Sequence, residues 1–190
     1  GDDALTSKLG LAIRRSAAAA QPGAILMLGR LYRRQGDADS ALAAFTHFLE
    51  AGGDSSVGLL ERARALAQAG DPAAGAVAYL RGTAGLDSAG RSAYIADISW
   101  VASPQELIVF DSLRTPDLGR WITKFWSNRD AEELRAVGER LAEHLRRWNH
   151  VYAAFRLPGN MAAHQQTGLM ALPGKRDLPG SASAGTSSAA

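Results

Sequence analysis

The 190-residue chain has no cysteine, which excludes a disulfide framework, thiolate chemistry and any sulfur-ligated zinc site while leaving the compartment open. No run approaches the ~18 consecutive apolar residues that a bilayer crossing needs, so direct transmembrane insertion is not expected. Lysine is scarce: only three of the 21 cationic side chains are lysine, a bias that fits a GC-rich genome. Against 19 carboxylates the formal net charge is +2. Despite a sequence pI of about 9.2, that near-balance provides no basic field for nucleic acid. Catalytic signatures are missing too. No serine sits in a Gly-x-Ser-x-Gly turn, and Gly174-Lys175 lacks the upstream glycine and following hydroxyl of a phosphate loop. The four histidines, His47, His144, His150 and His164, have no metal-binding partner at helical spacing. The expectation is no catalytic residue, no cofactor and no metal.

What is present is helix. With 46% hydrophobic residues the chain can bury a core without covalent staples. Residues 4–20 read as a helix through Leu5, Leu9, Ala12 and Ile13, ended by Pro22-Gly23. Next comes a repeat. Leu28-Gly29-x-x-Tyr32-x-x-x-Gly36-Asp37-x-x-x-Ala41-x-x-x-Phe45 returns as Ala63-x-x-Leu66-x-x-x-Gly70-Asp71-x-x-x-Gly75-x-x-x-Tyr79. The offset, 70 − 36 = 34 residues, is the tetratricopeptide period. Small residues at 29 and 63 let paired helices approach, Gly36 and Gly70 turn the chain, and Phe45 and Tyr79 fill the space behind.

Residues 92–113 read as a degenerate third pair. Tyr94, Ile95, Ile98 and Trp100 mark its first helix, and a capping box with proline at the first helical position, Ser103-Pro104-Gln105-Glu106, starts its second. Thr115-Pro116-Asp117 repeats that start. Over 117–155 two amphipathic patterns meet at the corner 125–130. Leu118, Trp121, Ile122 and Phe125 form the first stripe; Leu134, Val137, Leu141, Leu145, Trp148, Tyr152 and Phe155 form the second. Asp130, three residues before Glu133, is placed to cap a long helix running from 131 to 154 or 155. Arg135 with Glu139, and Glu143 with Arg147, mark a solvated, ion-paired face.

Phe125-Trp126-x-x-Arg129-Asp130, then Glu143-His144-x-x-Arg147, with Tyr152, Ala153 and Phe155 loosely spaced behind, resembles the opening of the bacterial GWxTD-domain family. The resemblance covers 92–158. It implies an exported, envelope-associated protein, often with tetratricopeptide repeats upstream. The Gly-Trp-x-Thr-Asp signature and the strand-rich segment that follows it are absent, so roles that depend on them do not carry over. A chain starting Gly1-Asp2-Asp3 suits an exported protein whose signal has been trimmed.

The expected architecture is all-α: a short tetratricopeptide-like helical solenoid over 1–113, a GWxTD-type helical segment over 114–157 ending in a long amphipathic helix, and an extended Pro-, Gly-, Ser- and Ala-rich tail over 158–190. Counting along the repeat aims Leu26, Arg30, Arg33 and Arg34, with Val57, Leu60 and Arg64, into one groove whose arginines could clamp a partner's carboxylates. Met161, Leu169, Met170, Leu172 and Leu178 are spaced to anchor the tail along a neighbouring subunit. These readings point to a non-catalytic interaction or structural subunit docking on a larger, envelope-associated complex in the periplasm. Its partners would be other protein subunits. The alternative is a substrate-presenting module of an enzyme whose catalytic part is absent from this chain.

Overall fold

Aspartates open four successive helices. In the computed structural model, which describes residues 21–154 together with Gly10, Leu11 and Ile13, the chain forms α1 (Pro22–Gln35), α2 (Ala38–Glu50), α3 (Ser55–Gln68), α4 (Pro72–Gly82), α5 (Ser88–Ile98), α6 (Pro104–Ser112), α7 (Thr115–Glu132) and α8 (Glu139–Ala154). A 3-10 turn, Thr83–Gly85, follows α4. Among the described residues there is no strand, so this part of the chain is all-α. The expected helix over 4–20 falls mostly, and the tail with its anchors Met161, Leu169, Met170, Leu172 and Leu178 wholly, outside the described residues.

The side chains of Asp37, Asp54, Asp71 and Asp87 accept from the backbone N–H groups of Ser40, Val57, Ala74 and Gly90 at 3.1, 2.7, 2.9 and 2.7 Å. Each satisfies a donor that the first helical turn would leave unpaired. The capping box of α6 also forms: Ser103 N–H donates to Glu106 at 2.8 Å and Glu106 N–H to Ser103 Oγ at 3.3 Å.

The 34-residue offset is structural. Gly36 and Gly70 both take left-handed backbone, φ 87° and 95°, where a Cβ would be penalised. After each, an aspartate N–H closes the helix end, Asp37 onto Tyr32 O and Asp71 onto Leu66 O, both at 3.0 Å. Phe45 and Tyr79 are fully buried behind these turns. A Cβ on Gly29 would stand 2.5 Å from the Phe45 ring, which is why a glycine faces it.

Several expectations fail. The corner at 125–130 is not a boundary: α7 runs through it to Glu132, because Leu118, Ile122, Phe125 and Trp126 continue one buried stripe. The long helix therefore begins at Glu139, not at 131. Leu134 and Val137, expected on its buried stripe, sit in the connecting loop at 95% and 93% exposure. Trp100 likewise lies beyond the end of α5 and is exposed.

The main core joins α3 through α8, with Tyr79, Tyr94, Phe110, Ile122, Trp126 and Leu145 among its members. A smaller cluster around Ile25 and Phe48 ties α1 to α2. Burying each such side chain contributes roughly 1.5–3 kcal/mol. The last described helix does not simply extend the row: α8 packs back onto α3 and α4, in the middle of the chain.

Candidate functional site

The residues read as a partner-binding groove do not share one open face. Arg34 is exposed, Arg30 and Leu26 are half-buried, and Arg33 and Leu60 are buried, as is Val57. Arg64 keeps only 12% of its side chain exposed. The cover is α8, whose Trp148 and Tyr152 stack on each other with centroids 5.0 Å apart. Arg33 lies 4.7 Å from the Trp148 ring and 4.9 Å from that of Tyr152, and Arg64 lies 4.1 Å from Trp148. Asn149 Nδ2 donates to the Arg64 carbonyl at 2.9 Å.

Beneath that cover two carboxylates organise the charge. Glu61 meets Arg30 Nε at 2.9 Å, Arg33 Nη2 at 3.1 Å and Arg64 Nη1 at 3.5 Å. Asp97 accepts from Arg64 Nη2 at 2.6 Å and from the Tyr79 hydroxyl at 3.0 Å, and its Oδ2 faces His144 Nε2 at 3.0 Å. With Asp97 ionised, His144 Nε2 is the proton donor of that contact. Tyr94 completes the set by donating to Tyr79 O at 2.6 Å.

The electrostatics follow from this geometry. Burial alone would raise the Glu61 carboxyl, but the charges of Arg33, Arg30 and Arg64 outweigh it and hold it at about 2. Asp97 is likewise pushed up by burial, then pulled well below the usual carboxylate range by Arg64 and His144. Burial lowers the Arg33 guanidinium and Glu61 opposes that. Burial, followed by the Asp97 charge, drives the Tyr79 phenol well above its ordinary value. A carboxylate this acidic, already accepting three bonds, is a poor proton acceptor at neutral pH, and a phenol this basic is no nucleophile. The cluster is suited to joining α1, α3, α5 and α8.

Glu61 and Asp97, absent from the expected site, do carry a signal in the sequence. Glu61 falls on the stripe Val57-Gly58-x-x-Glu61-x-x-x-Ala65, and Asp97 follows Tyr94 by three and adjoins Ile98. A carboxylate on an otherwise buried face calls for a cation from elsewhere in the fold.

The motif residues Phe125, Trp126, Arg129 and Asp130 are all engaged within the chain. Trp126 packs edge-on to Phe125 and lies 5.0 Å from the His144 ring. Arg129 grips Glu106 with both terminal nitrogens, 3.1 and 3.0 Å, and lies 3.6 Å over Phe125. That grip, together with Ser103, lowers Glu106 to about 2. Asp130 is a cap, as expected, but for a helix farther on: its two oxygens accept from Gly138 N and Arg140 N, both at 2.8 Å. The expected Arg135–Glu139 and Glu143–Arg147 pairs also form.

A shallow recess runs between Thr83 and the α7 residues Gly119, Thr123, Lys124 and Ser127. Its hydroxyls donate to helix carbonyls, those of Leu80, Gly119 and Lys124. Among the described residues no three His, Asp or Glu side chains gather as a metal site, and no helix is long and apolar enough to cross a membrane. Compared with protein-family models, curated proteins and solved structures, the chain matches none of them.

Proposed function

We propose that the chain is a non-catalytic protein-interaction subunit that docks on a larger assembly, and that the α7–α8 loop is its docking tip. The observation that carries this reading is Leu134. Its backbone is left-handed, φ 54°, at the helix-end position that glycine usually fills, with Leu134 N–H on Ala131 O at 3.2 Å and Arg135 N–H on Asp130 O at 2.8 Å. A large side chain there is strained by about 1–2 kcal/mol. Its exposure, 95%, returns nothing from burial within the chain. Asp130 fixes the loop from the other side through Gly138 and Arg140, and Val137, three residues after Leu134, has nearly equal exposure. A strained, pinned loop that presents two apolar side chains to water is how a contact surface is built. The repeat pattern and the GWxTD-like residues support the same class of role, and the latter alone suggest the bacterial envelope.

The test compares proteins cross-linked to the native chain with those cross-linked to a Leu134→Asp/Val137→Asp variant. The variant is expected to keep its helical signal and melting temperature while losing the proteins recovered by the native chain. If the same proteins co-purify with both, the loop is not the docking surface.

A further inference from the structure

The two halves of α8 are held in different ways. Residues 139–147 are part of the core: Leu141 and Leu145 are fully buried, and His144 is bonded to Asp97. Residues 148–154 rest on the guanidiniums of Arg33 and Arg64 through the faces of Trp148 and Tyr152, with one side-chain hydrogen bond among the described residues, from Asn149 to Arg64 O. His150, Val151 and Ala153 point away into solvent.

What this half covers is incompletely answered. Arg30, Arg33 and Arg64 share Glu61, and Asp97, the second carboxylate, is divided among Arg64, Tyr79 and His144. Three guanidiniums thus face two carboxylates. Arg33 is only 4% exposed, yet among the described residues its Nε and Nη1 have no acceptor, and neither does Arg64 Nε. A ring face answers the plane of a guanidinium and leaves its N–H edge unanswered. The edge is what a carboxylate binds.

We infer that residues 148–154 form a displaceable strap over an arginine site, and that the occupant replacing it is an acidic segment of a partner protein. A carboxylate of that segment pairs with the N–H edges of Arg33 and Arg64, and an apolar side chain beside it takes over from Trp148 and Tyr152. The excess of cations selects against basic segments, and exposed Arg34 adds positive charge at the margin. This surface is separate from the Leu134–Val137 loop, so the failure of either leaves the other standing.

The experiment uses the full chain and a fluorescent synthetic peptide of alternating Glu and Leu, with a Lys-Leu peptide as control. Affinity is read by anisotropy, and strap opening by backbone amide exchange. The Glu-Leu peptide is expected to speed exchange over 149–153 and slow it over 30–34. A Trp148→Ala/Tyr152→Ala variant, with the strap released, should bind about tenfold more tightly, because the opening equilibrium no longer reduces the apparent affinity. Arg30→Glu, at a half-exposed position, should abolish binding in both backgrounds. No binding by the released variant, equal binding of the Lys-Leu peptide, or binding that leaves exchange over 149–153 unchanged would overturn the inference. If the double variant does not fold, the exchange response of the native chain to the two peptides decides alone.

Discussion

Glu61 has three guanidiniums around it and almost no water, so its ionisation is coupled to folding. Its folded pKa of about 2 lies below the 4.5 of an unperturbed glutamate. The folded state therefore binds fewer protons than the unfolded one, and stability rises with pH across that window. The contribution is complete above about pH 4.5 and is lost as pH falls toward 2; Asp97, also depressed, acts in the same direction. Urea midpoints are expected to stay level from neutrality down to mildly acidic pH and then to drop through this range. Glu61→Gln should flatten that acid drop. At pH 7 it should also cost about 3–5 kcal/mol, since removing one member leaves buried cations uncompensated. A midpoint unchanged by the substitution would mean that the arginines find other partners.

At the scale of elements, the α7–α8 connection separates stability from the proposed docking role most clearly. Leu134→Gly is expected to raise unfolding free energy by roughly 1 kcal/mol, because glycine takes left-handed backbone without penalty. Asp130→Ala should lower it by about 1–2 kcal/mol as the start of α8 loses its cap. Denaturant titration of the two variants checks both signs. The same connection shows where the sequence was readable. Helix starts marked by aspartate or by the Ser103–Glu106 box, and turns marked by Gly36 and Gly70, use local chemistry and were legible, as was the 34-residue offset. The end of α7 was not. It closes on a leucine where glycine is the usual signal, and Asp130 caps a helix that starts nine residues later (139 − 130). A rule built on adjacent residues places that cap too early. The fate of Arg33 and Arg64 was hidden for a related reason: repeat periodicity says which way a side chain points from its own helix, and α8 comes back from a distant part of the chain to cover them.

At the scale of the molecule, that return makes the fold depend on its last described helix. Leu141, Ala142 and Leu145 belong to the main core, and His144 completes the bonds to Asp97. Removing residues 139–190 is expected to abolish cooperative unfolding, because the truncated chain would expose apolar residues of α3, α4 and α7 and leave Asp97 short of a partner. A melting curve followed by circular dichroism checks this. A sharp transition near that of the intact chain would show that α1–α7 fold without α8.

The late arrival of α8 also has a consequence during synthesis. Asn149 and Arg64, which bond to each other, are 85 positions apart in the chain, so the ribosome releases the repeat helices well before their cover exists. Nascent chains with an open apolar cleft invite aggregation. Part of the surface that waits here is made of Arg30, Arg33, Glu61 and Arg64, which water solvates well. Charge that is costly to bury in the finished protein keeps the half-made one soluble until translation reaches Trp148 and Tyr152.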